Sequence, residues 1–157
     1  MSKFVFGKRS KVKLYGDDTI SGVRPIVAKL CCRALLYSTV DFSIIDGFRS
    51  ERTQHDMFVN HRSELDGYEK LSDHQYGMAI DVIPVIHYEG KKLNPFDTEN
   101  IHVARAWLEV YRAFMRAAMK LHLVVEFGFG YNVGGGRDWP HISVKGKAPK
   151  HFSGLAK

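Results

Sequence analysis

A chain of 157 residues suits one compact domain with a hydrophobic core and little beyond it. Hydrophobic residues make up 45% and charged residues 25%, the balance of a globular protein, and no apolar run approaches the roughly 20 residues of a membrane-spanning helix. The net charge of +6 draws the chain to anionic polymers, nucleic acid and bacterial wall polymers alike, and does not choose between them.

Residues 1–20 are polar and aromatic with weak periodicity and read as an ordered arm or loop. They lack the apolar stretch of a signal peptide, so the chain is expected to fold in the cytoplasm. Ser21 caps a predicted helix over 22–38, with Val23, Ile26, Val27, Leu30, Ala34 and Leu35 at helical spacing and Pro25 in the tolerant first turn. Cys31 and Cys32 are adjacent and point in different directions, so they read as small buried core residues with free thiols, not as a disulfide. Residues 41–45 form a predicted strand that ends at Asp46-Gly47. Ser50 caps a second helix over 51–63, with Met57 and Phe58 inward, and 65–73 read as a polar loop. Residues 78–84 form a strand stopped by Pro84, and 85–88 are expected to pair with it, with Gly90 near a turn.

The longest helix opens at Asp97 or Thr98 and runs to Leu121. Its apolar stripe is Ile101, Ala104, Trp107, Leu108, Tyr111, Phe114, Met115 and Ala118. Residues 123–127 and 141–144 are strands around a glycine-rich loop over 128–136. That loop lacks the Lys-Ser/Thr of a phosphate loop and reads as the rim of a cleft. The basic clusters at 8–13 and 145–157 read as solvated termini. The fold class is α+β, a small antiparallel sheet flanked by about three helices, and residues 1–157 make one domain.

Two segments carry chemistry: Ser72-Asp73-His74-Gln75-Tyr76-Gly77-Met78-Ala79-Ile80-Asp81 and Asp138-Trp139-Pro140-His141. Each sets a histidine near an aspartate at a strand boundary. Asp81 lies inside an apolar strand, facing away from Ile80 and Val82, where a charge is costly unless paired or bound to metal. Gly77 lets the chain turn so that His74 can approach it. Asp138 and His141 are an odd number apart, but Pro140 makes their strand irregular, so both can face one cleft. Catalytic zinc takes three protein ligands from His and Asp/Glu and leaves a position for water, with an outer acid as general base. The residues alone give a candidate zinc hydrolase and leave open which three of the four are ligands. His55, His61, His87, His102, His122 and His151 read as surface or helix residues.

The spacing resembles the zinc-dependent D-Ala-D-Ala carboxypeptidase and dipeptidase superfamily. That pattern is Ser-x-His-x-x-Gly-x-Ala-x-Asp followed by acid-x-x-His with proline before the histidine. It stands here as Ser72, His74, Gly77, Ala79 and Asp81, then Asp138, Pro140 and His141. Gly47-Phe48-Arg49 matches an upstream Gly-aromatic-Arg, and the chain is most similar to the L-alanyl-D-glutamate peptidase branch of phage endolysins, from about residue 4 to residue 144. The carboxypeptidase branches carry Glu where this chain has Asp138, and many relatives carry an aromatic and an acid where it has Ile142-Ser143.

The resemblance implies one zinc ion on the sheet, held by His74, Asp81 and His141. It implies Asp138 as general base and acid and Arg49 as the group that steadies the oxyanion. Ser72, Gln54 and Trp139 are expected at the substrate. The implied partner is the stem peptide of peptidoglycan, cut by a monomer without nucleic acid or membrane insertion. Such a lysin waits in the host cytoplasm and then acts on the periplasmic wall. Other readings are a D-Ala-D-Ala dipeptidase or carboxypeptidase, a non-catalytic zinc-containing wall-binding module, and a basic nucleic-acid binder, for which no motif is present.

Overall fold

The computed structural model describes residues 22–130, 132–133 and 136–147. Pro25, which has no N–H to leave unpaired, opens α1 (Pro25–Tyr37). The expected cap, Ser21, lies outside the described residues; Arg24 takes the N-cap position with no side-chain cap bond. Val27, Leu30, Cys31 and Ala34 are buried, whereas Leu35 and Cys32 are exposed, each one position round the helix from a buried neighbour. The expectation of two buried thiols therefore holds for Cys31 alone.

β1 (Phe42–Asp46) buries Phe42 and Ile44. α2 (Glu51–Val59) is capped by Ser50, whose Oγ accepts from Thr53 N at 3.1 Å. It ends four residues before the expected limit because His61 turns left-handed, at φ 57°. Phe58, expected inward, is exposed, and Gln54 is the buried residue of this helix. β2 (Ala79–Pro84) follows the polar loop. Residues 85–88 do not extend its pairing. Instead β3 (His87–Tyr88) turns at Glu89-Gly90 and pairs with β4 (Lys91–Lys92).

α3 (Ile101–Leu121) starts later than expected, capped by the Asn100 side chain on His102 N at 3.0 Å. Its buried face is Val103, Ala106, Trp107, Val110, Tyr111, Ala113, Phe114, Ala117 and Ala118, so Ile101, Leu108 and Met115 of the expected stripe stand in solvent. β5 (Leu123–Phe127) leads through a 3-10 turn at Gly128–Gly130 to the two-residue strands β6 (Asn132–Val133) and β7 (Gly136–Arg137), which pair with each other. β8 (His141–Lys147) runs longer than expected. The rest of the glycine loop, 134–135, lies outside the described residues, as does the tail from 148.

The four-stranded sheet has the order β1-β2-β8-β5, every neighbour antiparallel, and the α+β architecture matches the expectation. α1 and α3 pack together on one face. There Ile80, Val82, Ile142 and Val144 meet Leu30, Val110 and Phe114 in one apolar cluster. Each such side chain contributes about 1.5–3 kcal/mol on burial. No helix among the described residues is long and apolar enough to cross a membrane. The helix-covered face is the base on which the other face holds its polar groups.

Candidate metal centre

In the sheet register β8 places His141 opposite Asp81, and β1 places Asp46 opposite Asp81 on the other side. Three adjacent strands thus align two acids and an imidazole. Alternation sends Ile80, Val82 and Ile142 toward the helices and this row to the opposite face.

His74 arrives from the loop before β2. Gln75 N donates to Ser72 O at 3.0 Å, Gly77 N to His74 O at 3.0 Å and Met78 N to Asp73 O at 2.9 Å, so the segment is a tight coil. Gly77 has φ +67°, and a Cβ there would meet Gly22 O at 2.8 Å, so both the turn and the close approach require glycine. Arg49 N donates to His74 O at 3.2 Å and docks the coil against the end of β1.

The His74 side chain is 2% exposed. Its Nδ1 lies 2.6 Å from Gly47 O. A carbonyl only accepts, so Nδ1 carries a proton and Nε2 is the ring atom turned toward the site. That Nε2 is 3.1 Å from His141 Nδ1 and 3.3 Å from Asp81 Oδ1, and His141 Nδ1 is 3.3 Å from the same oxygen. Donor atoms 2.0–2.1 Å from a tetrahedral ion stand about 3.3 Å apart. The three residues therefore fit a metal ion of that geometry, and all three line one cleft of about 870 Å³.

The second oxygen of Asp81 is held from behind. Arg49 Nη2 donates to Asp81 Oδ2 at 2.8 Å, Arg49 Nε to Asp46 Oδ2 at 2.6 Å, and Arg49 Nη1 to Gln54 Oε1 at 3.4 Å. Burial by itself would raise the Asp81 pKa. The charges and hydrogen bonds of His74 and His141, with the Arg49 guanidinium, outweigh it and hold the carboxyl well below the usual carboxylate range. Asp81 thus offers one oxygen to a metal and the other to a guanidinium.

Asp138 faces the same cleft. Burial, then the negative charge of Asp81, push its pKa up, against the pull of His141, His74 and Arg49. Its place depends on Gly128, where a Cβ would fall 2.4 Å from Asp138 O and 2.6 Å from the His141 Cβ. Only glycine lets that turn lie over the segment before β8.

Of the expected substrate contacts, Ser72 lines the cleft and donates its Oγ to Gln54 Oε1 at 2.9 Å. Two others stand back from the cleft lining. Gln54 has no exposed surface; its amide donates to Ser63 Oγ at 2.8 Å and Leu65 O at 2.9 Å, so it braces the wall from behind. Trp139 is half-buried against Trp107, Tyr111 and Phe129, with Tyr111 Oη donating to its carbonyl at 2.7 Å, and is not part of the cleft lining. Sequence reasoning missed Asp46 and Gly128. Asp46, three residues before Arg49, carried a readable signal; the need for Gly128 exists only once β5 and β8 are paired.

The family model described as phage L-alanyl-D-glutamate peptidase matches residues 1–145. The chain belongs to this family. The L-alanyl-D-glutamate peptidase of Escherichia phage T5 is 33% identical over 132 residues, which is 84% of this chain and 85% of that protein. The crystal structure of the Serratia marcescens L-Ala D-Glu endopeptidase ChiX is similar at a TM-score of 0.62 and 24% identity, covering 86% of this chain and 92% of that one. At that identity the likeness carries the fold, which agrees with the α+β reading. The span matched as phage L-alanyl-D-glutamate peptidase contains Arg49, His74, Asp81, Asp138 and His141 together.

Proposed function

We propose that the chain hydrolyses the L-alanyl-D-glutamate bond of peptidoglycan stem peptides, as a phage endolysin, with one zinc ion held by His74, Asp81 and His141. The observation that carries this reading is the triangle of His74 Nε2, His141 Nδ1 and Asp81 Oδ1, 3.1–3.3 Å on a side, in a cleft that also holds Asp138. When bound, zinc supplies a Lewis acid that polarises the scissile carbonyl and brings the pKa of water down to about 7.

The chain's own groups do the rest. Asp138 takes a proton from water as the water oxygen bonds to the carbonyl carbon. It returns that proton to the D-glutamyl nitrogen as the carbon–nitrogen bond breaks. Its raised pKa suits both steps, since a carboxyl nearer neutrality holds the proton between them. Arg49 lines the cleft, and its charge, with the N–H groups left after Asp46, Asp81 and Gln54 are served, faces the developing oxyanion. Ser72 holds the wall beside them. We read residues 1–157 as one catalytic domain acting as a monomer, with the +6 charge favouring the anionic wall once the host membrane is breached.

The test is digestion of purified Gram-negative walls by zinc-loaded and chelator-treated protein, with mass spectrometry of the fragments. Chelator-sensitive release with new L-Ala C-termini is expected; release of free D-Ala instead would identify a D-Ala-D-Ala enzyme. Asp138→Ala should keep its zinc and lose about 10²–10⁴-fold in kcat. Wild-type turnover by that variant would remove Asp138 from its role.

A further inference from the structure

Three cationic side chains line the cleft: Arg49, Arg62 and Lys145. Two are already matched by acids. Arg49 bonds Asp46 and Asp81, and Lys145 bonds Asp73 and lies 3.4 Å from Glu126. The guanidinium of Arg62 is exposed, and no acid among the described residues pairs with it.

The backbone that carries it is nevertheless held. α2 ends with His61 N donating to Phe58 O at 3.0 Å and Arg62 N donating to Met57 O at 2.8 Å, across a left-handed His61. That paired closure, with the left-handed residue between, locks the chain direction after a helix. The two bonds from the buried Gln54 amide, to Ser63 and Leu65, brace the residues that follow. Arg62, unpaired among the described residues, therefore projects from a braced stretch of backbone.

The substrate of the proposed reaction supplies the matching charge. A D-glutamyl residue in a stem peptide has two carboxyl groups. One continues the chain, so the other stays as a free carboxylate on the leaving residue. Inside the cleft it meets Glu64, Asp73, Asp81 and Asp138, which repel it. We propose that Arg62 receives this free carboxylate of the D-glutamyl residue, as a specificity site that rests on the peptidase reading above. A guanidinium fork matches a carboxylate with two parallel N–H bonds, which an amide in the same place cannot accept.

The experiment uses two synthetic stem peptides that differ only at that group: one with D-glutamate, one with its free carboxylate amidated. The kcat and KM of both are measured with zinc-loaded wild type, Arg62→Gln, Arg62→Lys and Lys145→Gln. Wild type should favour the free carboxylate by about fivefold in kcat/KM, the size of a partly exposed charge pair. Arg62→Gln should bring the ratio near one, chiefly through KM, and Arg62→Lys should keep part of it. In an Asp138→Ala background, the Kd for the uncleaved peptides should show the same loss of preference. An unchanged ratio in Arg62→Gln, or its loss in Lys145→Gln instead, overturns the site while leaving the peptidase standing. Failure to cleave either peptide overturns the peptidase reading and the site with it.

Discussion

Ile80 and Asp81 are neighbours in sequence and opposites in surroundings. Ile80 points into the apolar cluster under α1 and α3 and has no exposed surface. Asp81, one step along β2, is turned to the face where His74, His141 and Arg49 converge. The pleat alone separates them. One face gains from removing apolar area from water, which is non-directional and tolerant of shape. The other gathers three electron-pair donors and a guanidinium in fixed directions, an arrangement that only a counter-charge or a metal makes favourable. The dry face holds the geometry of the wet one, while the wet face contributes little to folding.

That division can be broken by exchanging which face is injured. Asp81→Asn should abolish tight zinc binding, read by metal analysis after gel filtration, and take activity to background. Its secondary structure should stay intact by circular dichroism. Ile80→Ala should do the reverse, losing about 2–5 kcal/mol of stability in denaturant unfolding while the folded fraction keeps one zinc. If Asp81→Asn unfolds the sheet, or Ile80→Ala sheds the metal while still folded, the two faces are not separable.

A finer cut goes behind the site. Asp46 stands behind Asp81, where its Oδ2 takes the Arg49 Nε bond. Asp46→Asn would turn an amide N–H or a neutral oxygen toward that guanidinium and loosen its grip on Asp81 Oδ2. Outer partners of metal ligands are worth about 10–100-fold in affinity, so zinc competition against a calibrated chelator should show a weakening in that range. No change would mean that His74, Asp81 and His141 hold their places without the Arg49 clamp.

The wet face was the more legible of the two in sequence, for a physical reason. His74, Gly77, Asp81, Asp138 and His141 are close in chain within two short segments, and each residue type has few alternative uses. Arg49, too, could be singled out by its motif. What it touches could not, because Asp46, Gln54 and Asp81 meet only once β1 and β2 are paired. Gln54 and Trp139 are expected at the substrate by resemblance; Gln54 bonds Ser63 and Leu65 behind the wall, and Trp139 packs against Trp107 and Tyr111, contacts that exist only in the folded chain. The dry face was legible as a set of helices and strands but not in its limits. α3 shows why: Leu108 and Met115 match the helical period as well as Trp107 and Phe114 do, and only the placement of the sheet decides which side is covered.

The same contrast recurs on α1 at its smallest scale, and thiol chemistry reads it directly. Cys31 is buried and Cys32 is exposed, one helical position apart. Burial, with the neighbouring thiol adding to it, pushes the Cys31 pKa up to about 12. The thiolate is the nucleophile, so a raised pKa removes it across the range in which the protein is handled. Iodoacetamide at pH 8 should therefore carboxamidomethylate Cys32 and spare Cys31 in the native protein, with both labelled in denaturant. Peptide mass mapping separates the two positions. Native labelling of Cys31 at a rate near that of Cys32 would mean that α1 lifts from the sheet on the reaction timescale. The dry face would then not be the rigid base on which His74, Asp81 and His141 are proposed to hold a metal.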